Sequence, residues 1–256
     1  MVQLSLIFYA NGQNRAEALR PDVSKGALVL TFDDAFTAQW VAALPIFTEQ
    51  AARVTFFVSN PDRLNPGQVA DLKTLRQAGH AIGCHGLRHQ KAVDYAAAHG
   101  LARYLQDEIE PANAALAGMG FTPSAFAYPS SQHSPETDAG LLTRFRHLRS
   151  GAGAAKPGQD VKDMDLIFVP AAEIARTGRL LGAGIDYTDT GGKYRPVGQV
   201  LEALDRAKAR EEIIVLYAHN ISTNGPGHHL QPDVLRRILA HAKTIGLPAV
   251  SYDDLP

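Results

Sequence analysis

Two adjacent carboxylates end an apolar segment near the start of the chain. Residues 28–32, Leu-Val-Leu-Thr-Phe, are followed directly by Asp33 and Asp34. Because neighbouring side chains of a strand point to opposite sides, two acids placed there can serve two different tasks. Asp is also common in the exposed turns that follow strands, which is the ordinary alternative. Taken by itself, this motif leaves both interpretations open.

Two histidines lie four residues apart in the segment Gly-Cys-His-Gly-Leu-Arg-His, residues 83–89. On a helical turn this spacing puts His85 and His89 on one side, close enough to bind one ion. An isolated pair of this kind is more often two ordinary surface histidines. The pair alone therefore does not indicate a metal site, and its interpretation depends on the other segments of the chain.

Two further segments place polar side chains at the end of apolar runs. The first, Phe-Ala-Tyr-Pro-Ser-Ser-Gln-His at residues 126–133, contains Tyr128 and Pro129, and the second, residues 213–220, delivers His219. Alone, Tyr128 fits a buried tyrosine before a turn, and His219 fits a core or loop histidine. However, all four segments follow predicted strands, where α/β barrels and open α/β sheets gather their active sites. One carboxylate and two imidazoles also form a ligand set that leaves a zinc position open for water.

Short apolar runs alternate with helical patterns over most of the chain, as expected for βα units around a parallel sheet or barrel. The predicted strands are Ala27–Phe32, Val54–Val58, Ala81–Gly83, Ala125–Tyr128, Leu166–Val169, Ile213–Tyr217 and Ala249–Ser251. The predicted helices span residues 66–78, 94–116 with breaks at Gly100 and Pro111, 135–145, 197–211 and 234–245. Caps are predicted at Asn65 and Ser134. The glycine-rich region 150–190 is predicted to be irregular.

The composition is that of a globular protein. The chain has 256 residues, of which 45% are hydrophobic and 20% charged, and its formal net charge is −1. We expect one catalytic domain over residues 1–256, with the motifs in 27–256. The near-neutral charge gives no field that would attract nucleic acid or anionic lipid.

One cysteine, Cys84, excludes a disulfide within the chain, which fits a reducing compartment. Residues 1–10 lack a basic n-region and a sustained apolar region, and no stretch is long enough for a membrane span. We therefore expect a cytoplasmic protein without membrane insertion as the sequence stands, and secretion after removal of a leader remains the alternative. The sequence does not predict the oligomeric state.

The order of the four segments resembles that of the polysaccharide deacetylases, carbohydrate esterase family 4. The resemblance runs from Ala27 to the C-terminus and rests on Thr-Phe-Asp-Asp, HxxxH, a tyrosine-proline segment and a histidine at a strand end. It implies an α/β fold, a distorted, incomplete (β/α) barrel of about seven strands. It also implies roles for the residues: Asp33 as catalytic base, His219 as catalytic acid, and Asp34, His85 and His89 as metal ligands.

The chain departs from the family pattern at several positions. Ala35 replaces the glycine that usually follows the two aspartates, and Ala127 stands where many members have an arginine. The form Phe-Ala-Tyr-Pro is similar to the branch acting on poly-N-acetylglucosamine, which also lacks the arginine, and places Tyr128 and Pro129 in substrate binding. Arg149 is a candidate to replace that arginine from a neighbouring strand. For the aspartate that steadies the catalytic histidine, the candidates are Asp186 and Asp165.

The predicted function is metal-dependent hydrolysis that removes N-acetyl groups from a sugar, oligosaccharide or polysaccharide, either chitin-like or poly-N-acetylglucosamine-like. One divalent ion is implied, with Zn²⁺ expected, and Co²⁺, Ni²⁺, Fe²⁺ or Mn²⁺ also suit the ligands. Two alternatives are hydrolysis of a small non-carbohydrate amide and carbohydrate binding without turnover. His228 and His229 follow His219 in a segment that we predict to be a solvated loop.

Overall fold

The computed structural model describes residues 21–153, 159–190, 195–224 and 227–256. Residues 1–10, which lack the sequence features of a leader, lie outside these ranges. The strands are β1 (Ala27–Asp34), β2 (Thr55–Val58), β3 (Ala81–Cys84), β4 (Ala125–Ala127), β5 (His147–Gly151), β6 (Phe168–Pro170), β7 (Arg179–Gly184), β8 (Glu212–Ala218), β9 (Asn220–Ile221), β10 (His229–Leu230) and β11 (Ala249–Val250). The helices are α1 (Thr37–Ala42), α2 (Leu44–Glu49), α3 (Pro66–Gln77), α4 (Ala92–His99), α5 (Leu101–Tyr104), α6 (Glu110–Gly118), α7 (Pro135–Leu141), α8 (Val197–Ala209) and α9 (Pro232–Thr244). Within the described ranges, no helix is long and apolar enough to cross a membrane.

Seven parallel strands form a closed barrel. Their order is β1, β2, β3, β4, β5, β7 and β8, and β8 pairs back onto β1. The extent of pairing varies around the ring. Residues 27–32 of β1 pair with residues 213–218 of β8, whereas β3 and β4 pair only at Cys84 and Phe126. The prediction of a distorted α/β barrel of about seven strands is confirmed, but the barrel is not incomplete, because the pairing of β8 with β1 closes the ring.

Side chains alternate between the inside of the barrel and the layer under the helices, as the period of a strand requires. In β1, Ala27 and Val29 belong to a cluster inside the barrel, whereas Leu28 and Leu30 pack in the outer layer. The inner cluster also includes Phe57, Leu180, Ile213, Val215 and Tyr252. By this alternation Asp33 of β1 points into the barrel.

The predicted strand Leu166–Val169 is confirmed only at residues 168–169, and it is not one of the parallel barrel strands. Leu166 lies in a 3₁₀ turn and is exposed, and the adjacent β6 pairs antiparallel with the first residues of β8. The barrel positions are filled instead by β5 and β7, which fall at the edge of and within the region predicted to be irregular. Both were missed because polar side chains and glycines interrupt their apolar pattern, as in His-Leu-Arg-Ser-Gly for β5.

The helix starts follow the sequence more closely than the helix ends. Asn65 accepts a hydrogen bond from the N–H of Gln68 and Ser134 accepts one from the N–H of Thr137, so both predicted caps are confirmed. The predicted break at Gly100 is present between α4 and α5. The break at Pro111 is wrong, because residues 105–109 form a π-helical turn that leads directly into α6, with the proline in its first turn.

Close packing between β2 and β3 generates a prediction about stability. A Cβ added to Gly83 would lie 2.4 Å from Cδ1 of Phe57. We therefore expect Gly83→Ala to lower the free energy of unfolding by about 1–3 kcal/mol, measured by urea denaturation. The matched control is Gly118→Ala in α6, where the added Cβ meets open space. A Gly83 variant as stable as the control would contradict the packing described here.

Candidate functional site

The carboxyl ends of the barrel strands surround one cleft of about 680 Å³. This is the end where barrels gather catalytic side chains. The wall of the cleft contains nine residues with acidic, imidazole, guanidinium or phenol groups: Asp33, Asp34, His85, His89, Tyr128, Arg149, Tyr217, His219 and His228. The uncharged polar residues of the wall are Ser59, Asn60, Ser130 and Ser131. The structure thus brings residues from β1, β3, β5 and β8 to one place.

Asp34, His85 and His89 converge at one side of this cleft. The Oδ1 atom of Asp34 lies 3.9 Å from Nε2 of His85 and 3.7 Å from Nε2 of His89. Asp34 reaches this position because its backbone leaves the strand with φ of 81°, in the left-handed region. The three ligating atoms lie within 4.8 Å of one another, a spacing that one cation can bridge.

The chemistry of the donors also fits a divalent cation. Nδ1 of His85 lies 2.8 Å from the carbonyl oxygen of Ala127, which can only accept, so Nδ1 carries the hydrogen. This leaves the lone pair of Nε2 directed toward Asp34, the arrangement found for histidines that bind metals. Burial lowers the pKa of His85 to about 4, which keeps the imidazole neutral, as a ligand must be.

Asp33 forms a buried ion pair with Arg149 across the barrel interior. One guanidinium nitrogen of Arg149 donates to both carboxylate oxygens, and both side chains are nearly inaccessible to solvent. Burial by itself raises the pKa of Asp33, but the charge of Arg149, helped by the imidazoles nearby, outweighs it and leaves the pKa below the ordinary value. The carboxylate is therefore ionised at neutral pH.

The barrel register explains how Arg149 reaches Asp33. Arg149 on β5 lies directly opposite Ala127 on β4, the position at which many relatives were expected to have an arginine. Its guanidinium carbon lies 4.6 Å from the ring centre of Tyr217 and 5.5 Å from that of Phe57. These rings hold the cation by cation–π attraction while it bonds to the acid.

Asp186 and His219 form a second pair, and His219 lines the cleft. Oδ2 of Asp186 lies 2.7 Å from Nδ1 of His219, and its Oδ1 accepts the backbone N–H of the same histidine at 3.0 Å. Nδ1 therefore carries a hydrogen, and Nε2 is available for proton transfer. Burial alone lowers the pKa of His219, but the bond to Asp186 and the negative charge of Asp33 outweigh it, so the pKa is raised.

Other residues singled out from the sequence have different positions. Asp165 does not join the site, because it is exposed and pairs with Arg206. The side chain of Tyr128 is buried and its hydroxyl donates to Asp138 at 2.7 Å. Pro129 is buried at the start of a 3₁₀ turn.

His228 is exposed and lies outside the helices and strands, as the prediction of a solvated loop implies. Its ring borders the cleft, with its centre 5.0 Å from that of His219. His229 instead pairs with Asn220 between β10 and β9. The folded path of the chain, and no local pattern, brings His228 to the site.

Sequence reasoning missed several polar residues of the cleft wall: Ser59, Asn60, Ser130, Ser131 and Tyr217. The alternation of side chains along β8 could have identified Tyr217, because Tyr217 shares the inward face with Ile213 and Val215. Ser59 and Asn60 follow β2 directly, so their position at a strand end was also a signal. Ser130 and Ser131 adopt left-handed backbone angles, which the sequence pattern does not predict.

Comparison with known proteins gives one sequence match. The family model described as "Polysaccharide deacetylase" matches residues 20–142. The search of curated proteins found no match. The chain is therefore similar to the polysaccharide deacetylase family over just under half of its length. The match to this family includes Asp33, Asp34, His85 and His89 and ends before Arg149.

Similar solved structures extend the comparison over most of the chain. The Xyl-CE4 domain of a multidomain xylanase from the hindgut metagenome of Trinervitermes trinervoides has a TM-score of 0.58 and 16% identity, covering 90% of this chain and 88% of that chain. Peptidoglycan deacetylase PdaC from Bacillus subtilis has a TM-score of 0.53 and 15% identity, covering 91% of each chain. The catalytic domain of a peptidoglycan N-acetylglucosamine deacetylase from Eubacterium rectale has a TM-score of 0.51 and 16% identity, covering 88% of this chain and 87% of that chain. At these identities the likeness establishes the fold.

The Asp33–Arg149 pair generates a prediction about titration. Arg149→Gln removes the charge that offsets burial, so we expect the pKa of Asp33 to rise, and Arg149→Lys to preserve much of the lowering. The measurement is the pH titration of the side-chain carboxyl carbon of Asp33 by NMR. An Asp33 pKa that stays the same in the Gln variant would show that Arg149 does not set it.

Proposed function

We propose that this protein is a metal-dependent deacetylase that removes N-acetyl groups from an N-acetylated carbohydrate. The proposal rests above all on one observation: the ligating atoms of Asp34, His85 and His89 converge in the same cleft as ionised Asp33 and the His219–Asp186 pair. The family supports amide hydrolysis as the reaction. A protein that only bound carbohydrate would need no acid and base facing each other across the site.

Asp34, His85 and His89 would hold the divalent cation, and Zn²⁺ suits one carboxylate with two imidazoles. When bound, the cation supplies Lewis acidity toward the acetyl carbonyl and the attacking water. Co²⁺, Ni²⁺, Fe²⁺ and Mn²⁺ are compatible with the same donors. Side chains and backbone groups of this chain act as the general base, the general acid and the oxyanion donor.

Asp33 serves as the general base. Its carboxylate is buried beside the proposed ligands and is kept ionised by Arg149, so it can take a proton from the attacking water. Arg149 also fixes the direction of both carboxylate oxygens, because it bonds to each of them. The base is thereby oriented before substrate arrives, which lowers the entropic cost of reaching the transition state.

His219 serves as the general acid. The bond from Nδ1 to Asp186 leaves Nε2 to donate a proton to the departing amine of the sugar. The raised pKa keeps the imidazole protonated over a wider range of pH than free histidine would allow. Asp33 and Asp186 both contribute to this shift through their negative charge.

Negative charge on the acetyl oxygen requires a donor from the chain as well. The N–H of Tyr128 bonds to the carbonyl oxygen of Arg149 at 2.9 Å, and Pro129 has no N–H. The N–H of Ser130 is the next in sequence, and its residue lines the cleft in a left-handed conformation. We assign Ser130 as the candidate oxyanion donor.

For the substrate, we propose an N-acetylglucosamine unit within an oligosaccharide or polymer. The segment Phe-Ala-Tyr-Pro is similar to the branch that acts on poly-N-acetylglucosamine, and a chitin-like chain has the same acetamido group. The cleft volume of about 680 Å³ is in the range of small-molecule sites, and its wall offers serine hydroxyls and the amide of Asn60 to sugar hydroxyls. The structurally similar deacetylase from Eubacterium rectale is described as acting on peptidoglycan N-acetylglucosamine.

The test is acetate release from chito-oligosaccharides, acetylated polymers and small acetamides, with and without a chelator. We expect release from the saccharides, its loss with chelator, and its recovery with Zn²⁺. Asp33→Asn should keep the metal and lose more than about 10²-fold in kcat, whereas His85→Ala should lose the metal as well. Equal metal loss in the two variants would contradict the roles, and release from acetamides alone would point to a small-amide hydrolase.

Asp186 generates a prediction about the pH profile. Without its carboxylate, the hydrogen bond and the negative charge by which Asp186 raises the pKa of His219 are lost, so this pKa falls. Because the acid must be protonated, activity is lost as the pH rises through this pKa, so Asp186→Asn should move the basic limb of the kcat profile to lower pH. Asp165→Asn, which removes an exposed carboxylate outside the cleft, is the control. A basic limb that does not move in the Asp186 variant would exclude this role.

A further inference from the structure

The surrounding structure holds the three proposed metal ligands in place to different degrees. Asp34 ends a strand that pairs on both sides, and the ring of His85 bonds to the carbonyl of Ala127 in β4. His89 lies beyond β3 in an irregular segment, its side chain is partly exposed, and its backbone has φ of 57°. Such a conformation is unfavourable for a residue with a Cβ, so something in the fold must hold the segment in place.

Glu108 makes the contacts that hold this segment. Its Oε1 atom accepts the N–H of Arg88 at 2.8 Å and the N–H of Gln90 at 3.0 Å, the residues on either side of His89. Its own carbonyl oxygen accepts the N–H of Leu87 at 3.2 Å. One residue therefore fixes three backbone groups around His89.

The position of Glu108 is unusual for a carboxylate. It is only 2% exposed, and it lies in the π-helical turn of residues 105–109, a type of turn often found at functional sites. The guanidinium of Arg88 does not neutralise it by a direct bond, because that group forms a bidentate pair with Asp62. Burying the carboxylate is therefore compensated by the backbone N–H groups of the segment that carries His89.

The segment is also shaped to admit this carboxylate. Oε1 of Glu108 lies 2.6 Å from the position that a Cβ of residue 86 would occupy. Gly86 thus allows the acid to approach the backbone between the two histidines, and its φ of 84° favours glycine as well.

We propose that Glu108 is a positioning residue for the metal centre: its buried carboxylate holds the backbone of residues 87–90 so that His89 faces Asp34 and His85. This inference rests on the proposed function for the existence of the metal site. Glu108 itself binds neither the cation nor the substrate and acts through His89. Residues that position a metal ligand typically contribute about 10–100-fold to the affinity for the metal.

The experiment measures the Kd for Zn²⁺ by competition with a chromogenic chelator. We expect Glu108→Ala to raise the Kd by about 10–100-fold. Glu108→Gln retains a carbonyl oxygen at the same place, so it should restore the affinity to within a few-fold of the unaltered protein. Asp254→Ala is the matched control, because Asp254 is also a buried carboxylate that accepts a backbone N–H, at Ser251, but lies outside the cleft.

A double-mutant cycle with His89→Ala separates positioning from loss of stability. If Glu108 acts through His89, removing Glu108 has little further effect on the Kd once His89 is gone. If Glu108 only stabilises the fold, the Kd rises by the same factor in both backgrounds. The absorption spectrum of the Co²⁺-loaded protein gives a second readout, since Glu108→Ala should change it and Asp254→Ala should not.

The outcomes distinguish this inference from the proposed function. An unaltered protein that binds no Zn²⁺ overturns the proposed function and the inference built on it. An unaltered protein that binds Zn²⁺ with the same Kd as Glu108→Ala overturns the inference alone. An equal rise in Kd in Glu108→Ala and in Asp254→Ala, or equal effects in the two backgrounds of the cycle, also overturns the inference.

Discussion

The ion pair between Asp33 and Arg149 is the interaction on which the site depends. It lies inside the barrel, where a carboxylate without a partner would be strongly disfavoured, and removal of either partner leaves an uncompensated buried charge. Strands β1 and β5 are not neighbours in the ring, so the pair spans the barrel interior. A seven-stranded ring is narrow enough for two inward side chains from separate strands to meet.

The charge of Asp33 affects both sides of the cleft. It favours the protonated form of His219, and it opposes the effect of burial on His85. Asp34, the next residue, leaves the strand in a left-handed conformation and faces the two histidines. The two consecutive carboxylates thus lie in different environments, because Asp33 follows the alternation of side chains along the strand and Asp34 departs from it.

Much of the fold could be predicted from the sequence because the outer layer of the barrel is apolar. Strands β1, β2 and β8 have inward and outward faces that are both largely hydrophobic, which makes them visible as short apolar runs. Strand β5 was hidden because its inward positions hold His147 and Arg149. The same polarity that makes a strand functional removes the signal by which strands are recognised.

The residue types at the strand ends follow from the amino-acid sequence alone: Asp33 and Asp34, the spacing of His85 and His89, and His219 after an apolar strand. These are local features, fixed by the order of residues and the period of a strand. Which groups meet depends on the folded chain: Arg149 pairs with Asp33, Asp186 with His219, and Glu108 with the backbone around His89. Such pairs join residues from 18 to 116 positions apart, so their contact depends on barrel register and closure, which no local pattern encodes.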